Sequence, residues 1–286
     1  MKKIIFVLLI LLVFGAAMYS IFSGGDDTLE YVNIKLTDEN YAFAVNEKST
    51  ELLTGVNSVI KKIKENGELD KIIEKYSHEN EERYKKQPMG TINPERAQLI
   101  VATSTPFKPF EFSKYESEKG KVYMGIDIEI ASLIARELNL ELVIREYDFS
   151  KILDAVANGE AHIAMAGITK AQNRHEGVVF TDTYYSSSQT LIVRADDSTF
   201  DSCKTRKDVE KILSSLGSDT VVGYQSDSTG GEYLKGNAQM GFGGFNVTSK
   251  GYYSAILAAQ ALINKEIDFV IIDDAPAKII VSDMNK

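Results

Sequence analysis

The stretch Gly167–Tyr185, GITKAQNRHEGVVFTDTYY, decides how the chain is read. The apolar strand His162–Ala166 runs into a Gly, a Thr and a polar bend; Arg174 follows, then a second strand that ends in two Tyr. A guanidinium on such a bend presents a planar fork of donors that matches a carboxylate with two parallel hydrogen bonds. Free backbone N–H groups at Gly167, Thr169 and Ala171 would share the same anion. The local reading is a pocket for a small carboxylate. The alternative is a surface Arg on a strand-to-strand turn.

Upstream of this stretch, Leu99–Thr103 is a buried-type strand, and Pro106 and Pro109 keep the loop after it from becoming helix or strand. Gly125-Ile126-Asp127 leads into a helix with Ile130, Leu133, Ile134 and Leu138 on one stripe. Leu142–Arg145 is a strand, and Ser150 is placed to cap a helix over Lys151–Asn158. Downstream, strands are expected at Gln189–Val193, Thr220–Tyr224 and Asp268–Ile272, and helices at Lys207–Leu216, from about Thr229, at Tyr252–Asn264 and at Ala275–Asp283. This alternation predicts parallel sheets with helices on their faces, in two α/β lobes.

The first part of the chain reads differently. Tyr31–Leu36 and Tyr41–Val45 alternate like strands. Leu52, Leu53, Val56, Val59, Ile60 and Ile63 fall on one face of a helix that Asn66-Gly67 stops, and Leu69, Ile72, Ile73 and Tyr76 mark a second, shorter one. From Ser77 to about Arg96 the charges alternate around two Pro and a Gly, which reads as a linker.

The chain has 286 residues, 44% hydrophobic and 26% charged, a composition suited to one large globular domain or two modest ones. A net charge of −9 argues against a nucleic-acid partner. A single Cys at 203 and three His without ligand spacing argue against a disulfide framework and a metal site, and no cofactor motif is present: the Gly241–Gly244 run lacks the strand–loop–Lys context of a phosphate loop. At the N-terminus Lys2 and Lys3 precede an apolar run from Ile4 to Phe22. Residues 1–23 are read as either a signal peptide or a membrane anchor, and the rest as extracytoplasmic.

Taken together, VATSTPFKPFEF (Val101–Phe112), GIDIEIA (Gly125–Ala131), GITKAQNR, FTDTYY and FVIIDDAPAK (Phe269–Lys278) resemble, in family order, the extracytoplasmic solute-binding proteins of polar amino-acid ABC transporters, close to the glutamine-binding and lysine/arginine/ornithine-binding ones. The resemblance implies a two-lobed periplasmic-binding-protein-like fold of type II, each lobe a mainly parallel sheet with flanking helices, hinged by two crossing segments. It also implies a monomer that binds a free amino acid and delivers it to a membrane permease, not an enzyme. One departure stands out: Asn40–Tyr76 resembles the last part of such a protein but comes first. A circular permutation accounts for it, with lobe 1 continuous over 41–184 (linker 77–96 included) and lobe 2 formed by 29–38 and 188–286. A segment swapped between two chains, or an excerpt from a tandem array, is the competing account.

By this resemblance Arg174 takes the ligand α-carboxylate, assisted by the Thr169 hydroxyl and backbone groups at Gly167 and Ala171, and Asp273 takes the α-ammonium. Asp273 also suits a helix N-cap. Phe107 and Phe149 sandwich the ligand side chain, unless they are plain core. Ser228 and Thr229 meet the carboxylate from a helix start, and Gln225 faces the side chain. Both relatives carry an acid where this chain has Ser104, so a neutral side chain is expected, glutamine first and arginine or lysine next; Glu111 compensates only if it turns inward. The other classes are a sensory ectodomain and a dehydratase-like enzyme on the same fold.

Overall fold

The computed structural model describes residues 28–77, 80–171 and 174–286, so the expected signal peptide or anchor over 1–23 lies outside the described residues. In chain order the elements begin with β1 (Leu29–Tyr31), β2 (Glu39–Asn46), α1 (Thr50–Glu65), α2 (Glu68–Ser77), β3 (Gln87–Pro88), β4 (Gln98–Thr103), β5 (Phe112–Glu116) and β6 (Gly120–Met124). Then come α3 (Ile126–Glu137), β7 (Glu141–Glu146), α4 (Ile152–Ala157), β8 (Ile163–Ala164), β9 (Val178–Ser187) and β10 (Gln189–Arg194). Last are α5 (Arg206–Ser215), β11 (Val221–Gln225), α6 (Thr229–Lys235), β12 (Thr248–Tyr252), α7 (Ala255–Ile263), β13 (Phe269–Asp273) and α8 (Asp274–Met284).

Two five-stranded sheets result, one ordered β7-β4-β8-β2-β9 and the other β1-β10-β13-β11-β12. In the first lobe α1 turns Val56, Val59, Ile60 and Ile63 inward at helical spacing, and α2 adds Leu69, Ile72 and Tyr76. They pack with Tyr41, Phe43, Leu99 and Val101 of the sheet into one core. In the second lobe neighbouring residues part to opposite faces: Ile192 and Ile272 join one core, Leu191 and Ile271 another. That sheet is therefore buried on both sides, which explains its continuous apolar runs.

The structure corrects several expectations. Each sheet is mixed rather than mainly parallel, because β2 pairs antiparallel with both β8 and β9, and β10 pairs antiparallel with both β1 and β13. The parallel pairs β4–β7 and β11–β12 each have a helix between their strands in sequence, α3 and α6, whereas β9 steps to β10 in the other sheet with only Ser188 between them. The strand expected at Tyr31–Leu36 is confined to Leu29–Tyr31, although Val32 and Leu36 still donate to β10 carbonyls or their neighbours, at Leu191 O (2.8 Å) and Gln189 O (2.9 Å). The helix after Asp148 starts as a 3-10 turn at Phe149–Lys151, so Ser150 lies inside the turn instead of capping it.

The expected linker is a strap bound along the first lobe. Strand β3 pairs with β6, and Tyr84 stacks on Tyr76 at 4.6 Å between ring centres. Lys85 and Lys75 meet the buried Glu129 of α3 at 3.0 and 2.7 Å. Alternating charges read as a solvated run because these partners lie far off in sequence. The strap passes β7 so closely that a Cβ on Gly90, whose φ is +74°, would sit 2.8 Å from the Leu142 carbonyl oxygen. Gly90→Ala is therefore expected to lower the unfolding free energy by more than about 1–2 kcal/mol, the cost of a left-handed non-glycine residue alone; urea denaturation of the two proteins measures it.

Candidate functional site

Two chain segments run side by side between the sheets. Glu39 lies opposite Ser187, Thr37 N donates to Ser188 Oγ at 3.1 Å, and Gln189 N donates to Thr37 Oγ1 at 2.8 Å. Beside this strand pair, the loop after β8 and the ends of β11 and β13 surround a small cavity. Clefts outside the carboxyl ends of strands are where open α/β sheets bind ligands.

Nine of the eleven residues singled out from sequence line that cavity: Phe107, Phe149, Gly167, Thr169, Arg174, Gln225, Ser228, Thr229 and Asp273. Ala171 lines a larger cavity of about 660 Å³ that shares Phe149, Thr169, Arg174 and Thr229 with the first. Ser104, half-buried past the end of β4, lines neither. Glu111 does turn inward, but it too lines neither cavity; it is fully buried and neither carboxyl oxygen has a hydrogen-bond partner. Burial, with Asp127 and Asp273 nearby, pushes its pKa well up.

The guanidinium of Arg174 donates from Nη1 to Thr169 O at 2.7 Å and from Nη2 to Asp227 O at 3.4 Å. Burial lowers its pKa, and the charges of Glu39 and Asp273 oppose that shift. Across the cavity Asp273 closes β13, and its Oδ1 accepts from Tyr41 Oη at 2.5 Å and from Ser187 Oγ at 3.3 Å. Burial, reinforced by the Glu39 charge, pushes the Asp273 carboxyl up to about 7, against the pull of the Tyr41 bond. Asp273 is the residue before α8, yet its side chain makes no cap hydrogen bond and remains directed to the cleft partners.

Two expected ligand groups are already engaged. The Gly167 N–H donates to Asp127 Oδ2 at 3.0 Å, and the Thr169 hydroxyl donates to Glu39 Oε2 at 2.5 Å. Gly167 keeps φ +55° while the Phe107 ring packs against it, 2.7 Å from where a Cβ would stand. Its N–H is thus taken up in shaping the loop. Tyr184 donates to Asp127 Oδ1 at 2.6 Å and so helps hold the same loop. Ser228 precedes α6 without a side-chain cap bond. Sequence reading missed Glu39, Tyr41, Asp127 and Gln189 as parts of the site. Glu39 sits in an acidic turn that reads as solvated, and its only signal was its place in the expected crossing segment.

The family described as bacterial extracellular solute-binding proteins, family 3, matches residues 99–266. The arginine-binding periplasmic protein of Mannheimia haemolytica is 27% identical over 188 residues, 65% of this chain and 67% of that one. The arginine-binding extracellular protein ArtP of Bacillus subtilis is 27% identical over 101 residues, and the match spans 35% of this chain and only 38% of ArtP. Among solved structures, an ancestral arginine-binding protein bound to glutamine matches with a TM-score of 0.53 at 28% identity, over 66% of this chain and 74% of that one.

The fully buried Asp127 gives the site a measurable pH signature. Burial raises its carboxyl from an ordinary 3.8 to about 7, against the bonds from Tyr184 and Gly167. Between those values the folded protein holds a proton that the unfolded chain has lost, so stability falls as pH rises from about 4 to 7. Asp127→Asn is expected to flatten that fall. Urea unfolding at pH 5 and pH 7.5 tests this, and an identical pH dependence in both proteins would contradict it.

Proposed function

The chain belongs to family 3 of the bacterial extracellular solute-binding proteins, and from that premise we propose that it captures a free polar amino acid between its lobes, outside the cytoplasmic membrane, for a permease of an ABC transporter. The observation that carries this reading is the placement of Arg174 and Asp273 on opposite lobes around one cavity. The α-carboxylate would pair with the guanidinium and the α-ammonium with Asp273. A zwitterion held this way touches both lobes only when they are closed, so it favours closure by its differential contacts.

The lobes already meet across the cleft. Tyr253 Oη donates to Asp148 Oδ1 at 2.5 Å, and Lys108 lies 2.9 Å from Asp283. The space between Arg174 and Asp273 is about 20 Å³, room for roughly one water. Entry of an amino acid therefore requires the lobes to part and the Arg174–Asp227 contact to give way to the ligand carboxylate.

Glutamine is the first candidate, because Gln225 offers a neutral donor and acceptor to the cavity. A basic amino acid is the second, because Asp38, Glu39, Asp227 and Glu232 all line the larger adjoining cavity. The relatives named arginine-binding support the second, and the ancestral arginine-binding protein bound to glutamine supports either. Isothermal calorimetry with glutamine, arginine, lysine and histidine decides between them. Heat from substrate turnover in place of saturable binding would mark an enzyme instead.

The order of segments fits a circular permutation of the family pattern. A quarter of the ancestral protein's chain stays outside its match, while residues before 99 supply β1 to the second sheet and β2 to the first here. The strap then joins what is elsewhere a C-terminus to an N-terminus. Light scattering on the purified protein is expected to show a monomer; an obligate dimer would favour a segment swap.

Arg174→Ala is expected to cost about 2–5 kcal/mol of binding, since the ligand carboxylate is left unpaired in a desolvated site. Affinity is also expected to weaken as pH falls below about 7, where Asp273 takes up a proton and no longer pairs with an ammonium. Near-wild-type affinity in the Arg174 variant removes this site.

A further inference from the structure

Glu39 lies outside every motif that led to the ligand residues, yet its carboxylate connects the hinge to the cleft. It opens β2, at the point where the chain leaves the second lobe for the first, and it is only 5% exposed. Its Oε1 accepts from Thr37 Oγ1 at 2.6 Å and from Gln189 Nε2 at 3.1 Å. Both donors belong to the hinge strand pair on the side of the second lobe. Its Oε2 accepts from Thr169 Oγ1 at 2.5 Å, in the cleft loop of the first lobe.

The consequence for Thr169 is specific. A hydroxyl has one proton, and Glu39 holds it, so this hydroxyl is not a donor for a ligand carboxylate while that bond stands. The backbone of Thr169 does the remaining work. Ala42 N donates to Ile168 O and Lys170 N to Asn40 O on either side of the Tyr41–Thr169 bridge, so Thr169 is the non-hydrogen-bonded member of the pair. Its own N–H and C=O therefore point away from β2. That carbonyl is the one that receives Arg174 Nη1 at 2.7 Å.

We propose that Glu39 is the positioning residue of the carboxylate site: through Thr169 it aims Arg174, and through Thr37 and Gln189 it ties that aim to the closed setting of the hinge. The inference rests on Arg174 as the ligand's carboxylate partner. Glu39 touches no ligand in this scheme. It fixes the residue whose carbonyl fixes the guanidinium. A carboxylate suits the position because it accepts on both oxygens, whereas an amide presents N–H groups to at least one hydroxyl or amide donor.

The test uses the full-length protein with Glu39→Gln, Thr169→Val, Thr169→Ser and the double variant Glu39→Gln/Thr169→Val. Two readouts are followed: affinity for the amino acid found by calorimetry, and the rate at which phenylglyoxal modifies Arg174 in ligand-free protein, read by peptide mass spectrometry. Glu39→Gln is expected to weaken binding by at least about tenfold, mainly through faster release, and to speed modification of Arg174 several-fold. Thr169→Ser, which keeps the hydroxyl, loses less than Thr169→Val. The double variant is no worse than Thr169→Val alone, because both changes break one chain of contacts. Additive losses in the double variant, or an Arg174 modification rate that Glu39→Gln leaves at the wild-type value, overturn the proposal. If Glu39→Gln does not fold, Thr169→Val reads the same contact. If wild-type protein binds no amino acid at all, the ligand reading fails, while the modification rate still judges the role of Glu39.

Discussion

A guanidinium set among protein atoms beside two buried carboxylates is costly unless each charge is held, and in this cleft neutral groups do the holding. Arg174 rests on two backbone carbonyls, Thr169 and Asp227. Glu39 takes three donors, from Thr37, Gln189 and Thr169. Asp273 takes the hydroxyls of Tyr41 and Ser187. Among the described residues no carboxylate is in ion-pair contact with Arg174. Charges kept apart in this way retain attraction for outside charge, which a direct ion pair would cancel. A zwitterion would bring one charge of each sign to such a site without adding net charge.

The same contacts explain why the hinge and the cleft do not behave as separate parts. The residues that satisfy Glu39 and Asp273 lie on the crossing strands: Thr37, Tyr41, Ser187 and Gln189. Rotation of the lobes about these strands changes the geometry of the donors that hold the site's carboxylates. Tyr41 makes the point most directly. It belongs to the core of the first lobe, with its ring 5.0 Å from Phe110, and its hydroxyl reaches the last strand residue of the second lobe. Burial and the Asp273 charge raise its pKa, which keeps it a proton donor across the working range.

Much of the fold was legible because the apolar periodicity was strong. The stripe from Val56 to Ile63, the strand Leu99–Thr103 and the strand into Asp273 were placed within a few residues of their observed bounds. What escaped depended on partners distant in sequence. The strap's Lys85 needed Glu129, on α3, before it ceased to look solvated. Strand β12, TSKGY, is half exposed with a Gly inside it, and it is a strand only because β11 pairs with it. In the site, sequence brought nine residues to one cavity, since motif order carries that information. It did not foresee that the Gly167 N–H and the Thr169 hydroxyl are already spent on Asp127 and Glu39, because hydrogen-bond allocation is a property of the assembled loop.

Side-chain selectivity shows the same limit from the opposite direction. Ser104 in place of an acid argued for a neutral ligand, but Ser104 lines neither cavity, so its lack of charge weighs little on what the cleft accepts. Glu111 cannot supply the missing charge either. Its oxygens are buried without partners, and burial beside Asp127 and Asp273 raises its pKa. The polar groups that do reach the cavities are Gln225 at the small one, and Asp38, Glu39, Asp227 and Glu232 along the large one. Of these acids Glu39 is already satisfied by three donors, so a cationic side chain would have to find its partner among the other three. All three line the larger cavity and not the smaller one that Asp273 lines.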